Sequence, residues 1–410
     1  MRDTLWTRNF TLITCATGLG AVGGIASSFA LSFLVFDETG STLASALLIA
    51  MQFLPSSLLP LAVSPWMDRL PRKPFLVVGD AVNGLCYLLA GLYLRHYLFS
   101  YVGYLAFSLL LACLTSMDEL AYKSLYPKLL TEGKEEKGYT ISSMLYPVLK
   151  VVMMPVSALL FETMGVSNIL LMQAGLSLSA ALLESRIRVH EERRGEGTRF
   201  SPRVWLSDLR EAARYLKGEP GLLNLFVYMG MTNGVAAGYG PLLVAFFRTM
   251  PGMTTAMYSL FSVAEFAGRT LGGLVRYRSI MQPKRRFAFL FGVYQAYELM
   301  DISLLWLPYP LMLLNRAACG FLGINSAAIR QAAVQRYLPD RLRARVSALE
   351  SVLFAAAVAV LSLAVGALGE IMDLRVCLSL CAAATLLVCW LTVFRSREHI
   401  RRVLAYKAQE

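Results

Sequence analysis

Two carboxylates three residues apart, Glu298 and Asp301, sit in an otherwise uncharged run, "FAFLFGVYQAYELMDISLLWL". At helical spacing they share one face. Two neighbouring carboxylates cannot both carry charge cheaply in a low-dielectric medium, so a shared proton is expected there, near mid-depth of the helix. That property suits a proton-coupling or cation-binding site; a structural role is the alternative. A second pair, Glu265 and Arg269, lies four residues apart in "MTTAMYSLFSVAEFAGRTLGGLV". Spacing i to i+4 allows a self-neutralising pair, and a coupling or substrate role is equally open. Three more cations, Lys150, Arg316 and Arg330, fall inside apolar runs. Lys150 can snorkel toward headgroups. Arg316 can snorkel outward or line a cavity, and an anionic substrate would favour the cavity.

The elements that must carry these charges follow from composition. The chain has 410 residues, is 56% hydrophobic and 16% charged, and has a mean hydropathy of +0.54. Soluble domains are nearer a quarter charged. The first apolar run, about residues 9–36, is too long for a cleaved signal and is expected to stay as an anchor. Helical spans of about 20 apolar residues can be placed near 9–36, 42–66, 74–95, 98–122, 141–163, 166–186, 221–247, 253–275, 286–307, 310–335, 345–369 and 375–394. Runs this long exclude barrel strands, which alternate in segments of about ten. The expected fold is an all-α membrane protein with twelve transmembrane helices.

Charge placement tests that segmentation. Of the 39 Lys and Arg residues, 32 fall at the N-terminus, in alternate loops and in the C-terminal tail. Only Arg95, Arg248 and Arg375 fall in the opposite loops. By the positive-inside rule both termini are cytoplasmic, in a cell (inner) membrane. The net charge of +12 is thereby assigned to a rim facing anionic lipid headgroups, which leaves nucleic acid without support.

The spans divide six and six around a polar linker. The expected organisation is a six-helix bundle at 1–186, a cytoplasmic linker at 187–220 and a second six-helix bundle at 221–410 with a short tail. Within the linker, "SPRVWLSDLREAARYL" has apolar residues at helical spacing behind a Ser201–Pro202 start. That predicts an amphipathic helix along the inner membrane face; a calmodulin-type target helix is the alternative. Short basic hinges stand at the same place in both halves, "SPWMDRLPRKPFLVVGD" and "GGLVRYRSIMQPKRRFAFLFG". Such repeats build many secondary transporters.

Other patterns carry no chemistry. "GLGAVG" at 18–23 matches a dinucleotide fingerprint but no strand precedes it, and no ATP-binding glycine loop occurs. Seven cysteines lie in apolar runs and three histidines in loops or the tail. No disulfide framework, metal site, cofactor or enzymatic centre is expected, and buried thiols are.

The hinge Asp68, Arg69, Arg72, Lys73 resembles the signature loop of the major facilitator superfamily, with Ser64 and Pro71 in place of its two glycines. "DETGSTLASALLIAMQFLPSSLLPL", "LYPKLL" and "QAAVQRYLPDRLRARVSAL" are similar to the macrolide and siderophore exporter branch. The resemblance implies two pseudo-symmetric six-helix bundles and alternating access, with proton-coupled export of a small amphipathic molecule by a monomer. It implies a gating latch from Asp68, Arg69, Arg72 and Lys73, with Asp80 pairing to the latch arginines. A positive-inside anchor is the plainer role for these charges. Span four lacks the arginine, and span five the flanking glycines, of the family's proton antiporters. A facilitator or importer of organic anions and a non-transporting receptor are the alternatives.

Overall fold

The computed structural model describes residues 5–67, 71–131, 134–189, 202–278 and 281–405. Described residues are helical almost throughout, in thirteen α-helices. In order these are α1 (Arg8–Thr39), α2 (Thr42–Met67), α3 (Arg72–His96), α4 (Tyr101–Leu125), α5 (Glu135–Ser185), α6 (Pro202–Gly218) and α7 (Pro220–Thr249). Then follow α8 (Thr255–Arg278), α9 (Pro283–Ser303), α10 (Tyr309–Tyr337), α11 (Asp340–Ile371), α12 (Leu374–Cys389) and α13 (Arg397–Ala405). Two of them, α6 and α13, are short polar-faced helices outside the twelve expected spans.

The spans map onto the remaining eleven because α5 holds two. Gly165 inside it has φ of 73° and ψ of 165°, a conformation open to glycine and closed to helix, so the chain breaks between spans five and six there. Starts and stops follow local chemistry elsewhere. Thr7 accepts from the Phe10 amide at the start of α1, and Gly40, at φ 62°, ends it with its amide on the Phe36 carbonyl. Ser100 caps α4 and Asp373 caps α12 in the same way. Seven helices among the described residues are long and apolar enough to cross a membrane on composition alone.

The chain forms two compact units. Unit 1 comprises residues 1–40, 51–200 and 254–259, and unit 2 residues 41–50, 201–253 and 260–410. In unit 1, α1 and α3 pack on the two arms of α5. In unit 2, α7 packs on α11 and α9 on α12.

The α6 helix packs on unit 2 through part of its apolar side. Its apolar residues Ala212 and Leu216 are buried in a core with Leu342 and Val346 of α11 and Ile400, Val403 and Leu404 of α13. Its acidic side holds Arg345, whose Nε lies 3.1 Å from Asp208 and whose guanidinium also pairs with Glu211. The C-terminal part of the apolar stripe thus packs on unit 2, whereas Leu206, nearer its start, is exposed. The thiols are buried as expected at Cys319, Cys377, Cys381 and Cys389, half-buried at Cys86 and Cys113, and exposed at Cys15.

Candidate functional site

The last two turns of α9 carry the central residues. Glu298 and Asp301 are buried, at 2% and 4% exposure. They end differently. The Asp301 carboxylate forms an ion pair with the Arg316 guanidinium of α10, and both side chains are nearly enclosed. Arg316 also donates to the Asn315 side-chain oxygen at 3.1 Å, and Asn315 donates to the Met300 carbonyl at 2.8 Å. The pair is thus tied to both helices, as a buried charge must be. Arg316 is turned inward to Asp301, with its Nε buried and without a hydrogen-bond partner among the described residues.

Glu298 has another environment. Its Oε1 accepts from the Tyr228 hydroxyl at 3.1 Å and the Thr232 hydroxyl at 3.0 Å, both on α7. Among the described residues no lysine or arginine forms an ion pair with it. A hydroxyl can donate to a carboxylate and, after rotation, accept from a carboxylic acid. Glu298 can therefore gain or lose a proton without losing its partners. Next to it, the Tyr228 ring packs against Tyr294 with centroids 4.8 Å apart.

The α8 helix is drawn against α10 by small residues. A methyl on Gly268 would overlap the Ala317 carbonyl, and one on Gly320 would overlap the Glu265 carbonyl. This contact brings the Glu265–Arg269 pair beside the cluster. Arg269 reaches Glu265 at 2.5 Å and 3.0 Å through two nitrogens, and the pair is partly exposed. Lys150 is exposed on α5 in unit 1 and takes no part.

Unit 1 has a polar interior that the spacing of its residues did not announce. The carboxyls of Asp80 on α3 and Asp118 on α4 face each other, and Glu184, at the end of α5 and 4% exposed, lies within electrostatic reach of both. Asp118 Oδ1 and Glu184 Oε2 are buried without a hydrogen-bond partner among the described residues. The expected pairing of Asp80 with latch arginines is made with none of the described ones. Asp68 and Arg69 lie outside the described residues. Of the rest of the latch, Arg72 is buried at the start of α3, and Lys73 Nζ donates to the Ser185 carbonyl at 2.8 Å, capping the end of α5. Glu119 and Lys123 form the exposed pair their spacing predicts, at 2.6 Å.

Comparison with known proteins completes the site's context. The Major Facilitator Superfamily profile matches residues 12–297. No curated relative matches the sequence. Among solved structures, the nucleoside transporter NupG aligns with a TM-score of 0.71 at 10% identity, over 98% of this chain and 100% of that one. A POT family transporter in complex with 5-aminolevulinic acid gives 0.71 at 11%, over 96% of each chain. A bacterial homolog of the human lysosomal transporter Spinster gives 0.63 at 14%, over 97% and 92%. Likeness at such identity speaks for the fold. With the twelve spans and the profile match over most of its length, the chain belongs to the major facilitator superfamily and is a membrane transporter of that fold.

Proposed function

We propose that the protein is a secondary-active exporter of a small amphipathic organic molecule, driven by protons through alternating access, with Glu298 as the proton carrier. The observation that carries this is the hydroxyl-only environment of the buried Glu298 carboxyl. A fixed ion pair cannot exchange a proton without stranding its partner, so Asp301 and Arg316 act as scaffold. Glu298 can exchange one, because its partners serve both protonation states. Glu265 and Arg269, partly exposed beside the cluster, are the groups of this unit placed to meet substrate polar atoms.

The substrate class rests on resemblance to the macrolide and siderophore exporters and on the small organic molecules named for the structural neighbours, nucleosides and 5-aminolevulinic acid. The basic hinge at Asp68, Arg69, Arg72 and Lys73 is the proposed latch, with Lys73 already anchored to α5. The protein is taken to work as a monomer in the inner membrane, its termini and basic rim on the cytoplasmic side against anionic lipid. Glycerol-free liposomes holding the purified protein test the coupling, with a radiolabelled macrolide and a hydroxamate siderophore as probes. An imposed pH gradient should drive transport of one of them in the wild type and fail to do so in Glu298→Gln, while gradient-free exchange persists. Gradient-driven transport by Glu298→Gln at the wild-type rate removes Glu298 from the mechanism.

A further inference from the structure

Two helices change unit along their length. The start of α2, up to Ala50, belongs to unit 2, and the helix from Met51 onward belongs to unit 1. The α8 helix does the reverse, with Thr255 to Ser259 in unit 1 and the rest in unit 2. Each start is held by a carboxylate from near the end of another span.

At the start of α2 the carboxylate is Glu370, one residue before the end of α11. Its Oε1 accepts from the Ser41 hydroxyl at 2.7 Å, the Thr42 hydroxyl at 3.1 Å and the Leu43 amide at 2.9 Å. Free amides and the positive end of a helix dipole favour an anion at this place. Thr42 also donates to the Gly366 carbonyl at 2.8 Å. Gly366 and Gly369 make the approach possible: a methyl on Gly366 would lie 2.6 Å from the Ala46 Cβ, and one on Gly369 2.8 Å from the Thr42 hydroxyl oxygen.

At the start of α8 the carboxylate is Glu162, three residues before the Gly165 break in α5. It accepts from the hydroxyl of Thr255, which is 2% exposed. One turn on, the Tyr258 ring packs against Phe29 and Phe33, with centroids 6.0 Å and 5.4 Å away. The two carboxylates occupy matching places in the six-span repeat. "VSALLFETMG" closes span five and "VGALGEIMD" closes span eleven. Their targets match too, Ser41–Thr42 opening span two and Thr254–Thr255 opening span eight.

We propose that Glu370 and Glu162 are a matched pair of positioning residues for transport, each docking the first turn of a unit-changing helix, and that both docks open in the same conformational step. The proposal rests on the alternating-access reading, but its test needs no substrate. A carboxylate that merely capped a helix would affect its own helix start. A pair released in one step must report on each other.

Hydrogen-exchange mass spectrometry of the full-length protein in nanodiscs separates the two. In Glu370→Ala, amides of residues 43–46 should exchange about tenfold faster, the loss of a charge-assisted cap. Amides of residues 52–63, in the unit 1 part of α2, should stay within twofold of wild type. The distant segment 256–259 should also exchange about threefold faster, and Glu162→Ala should produce the mirror pattern. Glu370→Asp should recover most of the protection. Should Glu370→Ala fail to fold, Ser41→Ala with Thr42→Val removes two of the three hydrogen bonds to Glu370, leaves the Leu43 amide bond, and should give the same pattern at smaller amplitude. Unchanged exchange at 43–46, or acceleration there with 256–259 unmoved, overturns the proposal. A loss of coupling in the liposome assay with the exchange pattern intact would instead count against the proton-carrier reading alone.

Discussion

The two units bury carboxyl groups by opposite means. Unit 2 gives the Asp301 carboxyl a cation and the Glu298 carboxyl two hydroxyls, so each of the two acids has a partner on a neighbouring helix. Unit 1 sets Asp80, Asp118 and Glu184 near one another and supplies no described cation, leaving an oxygen of Asp118 and one of Glu184 unmatched. Burying charge is expensive unless it is paired and hydrogen-bonded. The difference teaches that an acidic residue inside a span says little by itself; its neighbours on other helices decide whether it is scaffold, proton carrier or liability.

Breaking the unit 2 pair should have the largest effect. Arg316→Leu leaves Asp301 charged, enclosed and alone, and should destabilise the protein by about 3 kcal/mol. Thermal unfolding in detergent measures it. Adding Asp301→Leu should recover most of the loss, because the pair as a whole gains little over apolar residues of similar volume. If the double variant is as unstable as the single one, the pair is more than self-neutralising.

Removing the close approach of α8 to α10 comes next. Gly268→Ala puts a Cβ where the Ala317 carbonyl lies, and backbone cannot give way as a side chain tip can. Overpacking of this kind costs about 2 kcal/mol. The same melting experiment reports it, and the Glu265–Arg269 pair should be displaced from the cluster with a matching fall in transport. Gly273→Ala, where no atom lies within 4 Å of the added Cβ, is the control and should leave both unchanged.

The architecture was legible because it depends on bulk properties. Hydropathy runs and the side on which cations fall do not need tertiary contacts, and even the break inside α5 has its glycine in place at Gly165. The site was half legible. Glu298 and Asp301 could be placed on one face from spacing alone, but the division of labour between them depends on Arg316, fifteen residues on and across a turn. The Asp80–Asp118 contact was missed although a signal existed: the two residues lie almost equally far from the turn at Tyr97–Ser100 that joins α3 to α4. Counting outward from a tight turn between antiparallel helices would have found it. Glu184 offered no such signal, since α5 returns to this place only after the Gly165 break and a full span. The amphipathic helix shows the converse. Its stripe is real, but sequence could not say that Ala212 and Leu216 would pack on unit 2 while Leu206 stays exposed.

Unit 1 sharpens the comparison with the opposite sign. Asp118→Asn keeps the shape and one acceptor oxygen, adds two donors and takes one acid out of the cluster with Asp80 and Glu184. The substitution should raise stability, by about 1 kcal/mol, where the chemically similar Glu298→Gln should leave it within about 0.5 kcal/mol because its hydroxyl partners serve both states. Measuring both in one detergent at one pH makes the contrast internal.

The smallest effect belongs to the pair that looks most like a salt bridge. Glu119 and Lys123 sit four residues apart at 2.6 Å, yet their side chains are 59% and 68% exposed. Exposed pairs of this spacing contribute about 0.3–0.5 kcal/mol, lost in salt. Lys123→Ala should therefore shift stability by no more than about a sixth of what Arg316→Leu does, although both cations touch their carboxylates. A double-mutant cycle at low and high ionic strength gives the pair's own energy. A coupling above about 1 kcal/mol that survives high salt would mean that the pair is shielded from water and that its exposure does not set its strength.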